Sequence, residues 1–189
     1  MDKGKGFTII EIVIVCTLAV VILLIIYDVF LVSEQAYQIG DTKLELLQNG
    51  RIVLDRLSRE LRQTPDIVTE LPATKLELGF PPPKEIQFQD GHGVSTIQYL
   101  KYFLVSNALQ RQRIVYYFPE EPEIYVIWNA QNEQGEPPLT NILEDRIIAE
   151  YISDLAFYGS HVVNIEVWLT KGNSQEHLLT AVWGRNTRQ

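Results

Sequence analysis

The chain has 189 residues, a length that suits one domain with an appendage. It carries 24 acidic and 16 basic residues, a formal −8, which argues against nonspecific nucleic-acid binding through a general positive field. The one cysteine, Cys16, excludes an intramolecular disulfide, so cysteine usage does not identify a compartment.

The apolar residues are unevenly spread. Residues 7–32 hold only two charges, Glu11 and Asp28, and the stretch Ile12–Tyr27 holds none. As a helix, residues 7–32 reach about 39 Å, enough to cross a bilayer if Glu11 is tolerated. Lys3 and Lys5 precede the segment, and Asp28 and Glu34 follow it. This bias places the N-terminus in the cytoplasm and the rest of the chain outside. A secretory signal peptide fits the basic start, but YDVFLVSEQA offers no A-x-A cleavage site. A plain signal anchor accounts for the length but not for Glu11, since a carboxylate at membrane depth costs several kcal/mol unless paired. Snorkelling of Glu11 to the interface is the alternative to a partner.

Residues Lys5–Val15, KGFTIIEIVIV, resemble the class III leader junction of type IV pilins and type II secretion pseudopilins. The shared pattern is a short basic leader ending in glycine, then phenylalanine, threonine, two aliphatic residues and glutamate. The resemblance implies that a prepilin peptidase removes residues 1–6 by cutting between Gly6 and Phe7 and that Phe7 becomes the N-methylated terminus. It further implies that Glu11, one turn on, forms an assembly salt bridge with its own terminal amine or that of a neighbouring subunit. The mature chain keeps a formal −9, from −8 with Asp2, Lys3 and Lys5 removed. Many major pilins have a proline within this helix; here that place holds Asp28, and no proline occurs before Pro65.

Residues 33–64 continue the helix as an amphipathic half. Leu44, Leu47, Leu54, Leu57 and Leu61 form one face, Arg51, Arg56, Arg59 and Arg62 decorate the others, and Asp55 and Glu60 lie nearby. Gly40 and Gly50 weaken the helix without ending it, and Pro65 ends it. The arginine-rich RIVLDRLSRELRQ admits a DNA or acidic-lipid reading, but its acidic partners favour a solvated face or a subunit contact. The apolar face must pack on something, and the following residues are the candidate.

From 65 to 189 the sequence reads as a β-rich globular body outside the cytoplasm. Apolar alternation over Ile67–Leu78, a stiff loop at Pro81–Pro83 and a strand at Glu85–Gln89 lead to a turn at Asp90–Gly93. Thr96–Val105 and Arg111–Phe118 read as a hairpin with Ser106-Asn107 near its turn. Ile124–Trp128 is a strand, Asn129–Pro138 a polar loop, and Thr140–Ile148 a helical turn or short helix. Ile152–Tyr158, Val162–Leu169 and Leu178–Trp183 are strands, with Gly172-Asn173 between the last two. The expected fold class is α+β and pilin-like: one long N-terminal helix, membrane-spanning in its first half, packed on a C-terminal antiparallel body. The order of these strands, with RLSRELRQ in the helix, is similar to the minor pilin PilW and minor pseudopilin GspJ group.

No catalytic constellation stands out. His92, His161 and His177 are far apart and outside any HExxH or Cys-paired spacing. Glu120, Glu121 and Glu123 cluster between prolines, but no DxDxDG-type calcium loop is present, so a solvated acidic loop is the simpler reading. Trp128, Trp168 and Trp183 lie in strand-like segments and read as core or sheet-face residues. The expectation is a non-enzymatic structural subunit with no cofactor and no metal. Its partners would be prepilin peptidase, other minor and major pilins or pseudopilins, and the cytoplasmic membrane, which it crosses once before joining a pilus or pseudopilus. Nucleic acid is not an expected partner. The alternatives are a tip-located binding module for DNA or a surface, resting on Arg111, Arg113, Arg185 and Arg188, and an envelope protein anchored by a single span.

Overall fold

The computed structural model describes residues 8–92 and 96–184. The fold is α+β: one long, apolar N-terminal helix followed by antiparallel strands. The chain divides into two compact units, Met1–Thr42 and Lys43–Gln189. Helix α1, Ile9–Gln63, contributes to both, and its residues from Ile9 to Asp41 are exposed on every side.

Within the second unit the helix buries one face: Leu46, Gly50, Val53, Leu57, Leu61 and the carboxylate-bearing Glu60. The steps of four and three residues keep this row on one side of a 3.6-residue helix. The expected leucine face is therefore rotated. Leu57 and Leu61 are buried, but Leu44 is 55% exposed, and Leu47 and Leu54 lie at the margin. Leu46 and Val53 take the central places. Each fully buried aliphatic side chain stabilises the fold by about 1.5–3 kcal/mol. Gly50 allows close approach: a Cβ there would lie 2.2 Å from Leu178 Cδ1 and 3.2 Å from Leu169 Cδ1. The helix ends at Gln63, two residues before Pro65, and the buried Thr64 hydroxyl bonds the Gln89 carbonyl oxygen at 2.7 Å.

Two antiparallel sheets complete the unit. The first contains β1 (Ile86–Gln89), β2 (Tyr99–Val105), β3 (Ala108–Phe118), β4 (Glu121–Val126) and β5 (Leu139–Glu150). Strand β3 is its axis: β2 and β4 share one edge of it, and β5 pairs along the other. The β2–β3 hairpin closes on Ser106 and Asn107, both at positive φ (48° and 63°), the conformation a two-residue hairpin turn demands. Strand β3 begins at Ala108, three residues earlier than the sequence suggests, because this turn feeds directly into it.

Strand β5 corrects the expectation of a helical turn over Thr140–Ile148. It pairs with β3 from Leu139 to Glu150, with register shifts beside Gln110 and Ile114. The Ile67–Leu78 segment is also not a strand; it makes one isolated bridge, Ile67 to Phe88, and leaves Leu76 and Leu78 exposed. The second sheet runs β6 (Ile152–Tyr158), β7 (Val162–Lys171), β8 (Ser174–Trp183) in sequence order. A single residue, Tyr151 at φ 64°, joins β5 to β6 and so carries the chain from one sheet to the other. The core lies between the helix and both sheets, with Phe88, Tyr102, Leu109, Phe157 and Ile165 at its centre.

Candidate functional site

The start of helix α1 is built by two side chains. Glu11 Oε2 accepts hydrogen bonds from the Thr8 backbone N–H (2.8 Å) and the Thr8 hydroxyl (3.0 Å). The Glu11 N–H in turn donates to Thr8 Oγ1 at 3.4 Å. This is a reciprocal capping box, and it explains why the helix begins at Ile9. The pattern Thr8-x-x-Glu11 was legible in the sequence, yet Glu11 read there only as a charge in want of a partner. Both bonds fall on Oε2, so Oε1 stays open to an amine donor among the described residues. Gly6 and Phe7, the two residues of the expected cleavage site, lie outside the described residues. The helix that follows is long and apolar enough to cross a membrane. Its Thr17 hydroxyl is satisfied by the Val13 carbonyl oxygen at 2.8 Å.

In the second unit, a buried ionic cluster joins the helix to the first sheet. The Tyr102 hydroxyl donates to Glu60 Oε2 at 2.5 Å, and Arg111 Nε lies 3.3 Å from Glu60 Oε1. Arg56, one turn back on the helix, adds a third contact at 3.4 Å. Arg111 also reaches Glu144 on β5 at 3.5 Å, and Glu144 takes Arg113 (3.1 Å) and Arg146 (2.5 Å) as well. Burial, then the adjacent Glu60 carboxylate, pushes the Tyr102 hydroxyl far above its ordinary value, so it acts as a fixed donor. Burial disfavours the Arg111 charge, but Glu60, Tyr102 and Glu144 together outweigh burial and hold the guanidinium protonated. Arg111 is 5% exposed, so it cannot belong to an exposed basic patch. Arg113 is committed to Glu144, and Arg185 and Arg188 lie outside the described residues.

A second cluster centres on Glu166 of β7, which is 4% exposed. It accepts from Lys75 Nζ (2.6 Å) and the Tyr158 hydroxyl (2.8 Å), and His177 Nε2 lies 3.0 Å away. The ring of Trp168 is stacked on His177, with centroids 4.7 Å apart, and Lys75 Nζ lies 4.9 Å from the same indole. With both partners in place, Trp168 is a packed sheet-face residue, as its sequence context suggests. Burial pushes the Glu166 carboxyl up, but the bonds from Lys75, Tyr158 and His177 outweigh it and hold the group below its ordinary range. A depressed carboxyl contributes stability above its unfolded value, about 4.3, and that stability is lost as pH falls through the folded value. Melting of the full chain from pH 7 to pH 3 is expected to show an acid-side loss that Glu166→Gln reduces. An unchanged acid limb in that variant would contradict the assignment.

The remaining candidates are dispersed. His92 is exposed, with Nδ1 2.8 Å from its own neighbour Asp90, and His161 is exposed in the β6–β7 turn. Trp183 is 69% exposed and Trp128 is 39% exposed, so neither is a core residue. Glu120, Glu121 and Glu123 are exposed, the first two around a cavity of about 430 Å³ shared with Glu133. Among the described residues no group of three or more His, Cys, Asp or Glu side chains is arranged to hold a metal ion. Comparison with protein-family models, with curated proteins and with solved structures finds no match.

Proposed function

We propose that this chain is a minor pilin or pseudopilin, a structural subunit rather than an enzyme. In this reading prepilin peptidase cuts between Gly6 and Phe7, Phe7 is N-methylated, and residues 7–32 hold the chain in the cytoplasmic membrane. The N-terminus is cytoplasmic and the β-rich unit lies outside. The subunit then enters the tip or initiating complex of a type IV pilus or a type II secretion pseudopilus.

The observation that carries the reading is the junction Lys5–Val15 running directly into helix α1. A fold of one long apolar helix followed by an antiparallel β unit is what that junction leads one to expect. Among the described residues Oε1 of Glu11 has no partner, which supports a role for this carboxylate in accepting an amine. Unpaired, that carboxylate would cost several kcal/mol within a bilayer.

The test is N-terminal mass spectrometry of the chain expressed with and without a prepilin peptidase. The expected result is a terminus at Phe7 bearing one methyl group, seen only with the peptidase and abolished by Gly6→Leu. A terminus at Met1 in both cultures, or cleavage beyond Tyr27, would overturn the proposal.

A further inference from the structure

Ion pairing in the second unit is unevenly distributed. Every described lysine is paired: Lys43, Lys75, Lys84, Lys101 and Lys171 each meet a carboxylate. So do Arg56, Arg111, Arg113 and Arg146. Among the described residues the exceptions are Arg51, Arg59 and Arg62, all exposed on helix α1. Their spacing of eight and three residues keeps them on the side opposite the buried row. Arg59 and Arg62 line an open cavity of about 470 Å³ together with Ser58, Asp55 and Thr180 of β8. Ile52, 52% exposed, lies on the same helix within one turn of Arg51 and Asp55.

The complementary surface is on the same chain. From Ile114 to Leu143 the sequence holds Glu120, Glu121, Glu123, Glu133 and Glu136 and no lysine or arginine. Glu120, Glu121 and Glu133 converge on the cavity of about 430 Å³ beside Phe118, and Ile124, 55% exposed, follows on β4. None of these carboxylates is ion-paired among the described residues. In a protein that pairs its other described cations internally, the exposed guanidinium row and the glutamate-lined cavity are opposite in charge and both unpaired among the described residues.

We infer that the arginine row on helix α1 docks into the glutamate-lined cavity of a second copy of this chain. The surfaces differ, so the contact is head-to-tail, and each copy keeps one half unused: the cavity in one copy and the arginine row in the other. Opposite charges steer the encounter and set the register, while the flanking isoleucines supply apolar area. The inference needs neither leader cleavage nor a particular machine, so it stands apart from the proposed function.

The test uses the full chain in detergent micelles under reducing conditions, because Cys16 is exposed. Sedimentation velocity at low and high salt reads the association. The wild-type chain is expected to self-associate at low salt and to weaken as salt rises. Arg59→Glu with Arg62→Glu, and separately Glu120→Arg with Glu121→Arg, should each weaken association about tenfold or more. An equimolar mixture of the two variants should restore it, because the unchanged helix row of one variant meets the unchanged cavity of the other, and the reversed helix meets the reversed cavity. A wild-type chain that stays monomeric, reversals without effect, or a mixture no stronger than either variant alone would each overturn the inference. Contact through the apolar helix alone would appear as association indifferent to salt and to both reversals.

Discussion

Replacing Glu60 with alanine is expected to destabilise the β-rich unit by about 3–5 kcal/mol, the cost of leaving a buried charge without its partner. The Arg111 side chain is only 6% exposed, and it would keep just the longer contact to Glu144 at 3.5 Å. The Tyr102 hydroxyl would lose its acceptor at the same time. Replacing both ends, Glu60→Leu with Arg111→Met, should cost less than Glu60→Ala, because no charge is then stranded at either position. Thermal melting of the full chain in detergent, followed by tryptophan fluorescence, separates the two variants. If Glu60→Ala melts within a degree or two of the parent, the cluster contributes no net stability.

Gly159→Ala should cost about 2–3 kcal/mol for a different reason. Gly159 turns the chain between β6 and β7 at φ 121°, a backbone region that L side chains rarely adopt. A Cβ there would lie 1.9 Å from the Val162 carbonyl oxygen. The Gly159 N–H also donates to the Pro72 carbonyl oxygen at 2.7 Å, so the hairpin cannot shift without releasing the segment strapped over the second sheet. The control is Gly172→Asn in the β7–β8 turn, at φ 57° with nothing within 4 Å of a Cβ. Asparagine tolerates that left-handed conformation, so this change should stay within about 0.5 kcal/mol. A melting loss for Gly159→Ala no larger than that for Gly172→Asn would overturn the expected cost.

The sequence carried the helix and most of the strands because each has a clear local signature. An unbroken apolar run and Pro65 mark helix α1. The Tyr-, Ile- and Val-rich runs bounded by Ser106-Asn107 and Gly172-Asn173 mark the hairpins. Strand β5 was hidden because it lies at the sheet edge: it is exposed on both faces over most of its length, so no inward–outward alternation is imposed on it. Its Ile142, Leu143, Ile147 and Ile148 then fall at helical spacing, and the register shifts opposite β3 break what remained of the period of two. The rotation of the helix face has a similar origin. Counting leucines favoured Leu44, whereas Gly50 is the position that allows β7 and β8 to approach, with Val53 buried one turn on.

Glu60 was invisible for a deeper reason. On the helix it is one charge among several, and only the pairing of β2 with β3 sets Tyr102 opposite Arg111 and brings both to it. The glutamates around Phe118 were visible as a cluster, but the free arginines became informative only once the partners of the other cations were known. Gly6 and Phe7 rest on their motif alone.

The order in which the chain is made gives the helix's buried face a further significance. Leu169 and Leu178, which close over Gly50, belong to β7 and β8, and Lys171 reaches back to Glu45 across 126 residues of chain. During synthesis the helix emerges first and its covering strands last of the described elements. Until β8 has been made, the apolar row from Leu46 to Leu61 has no complete cover, and the nascent chain presents a sticky ridge to whatever surrounds it. An element that holds the helix during that interval thus serves maturation of the polypeptide as much as its final placement.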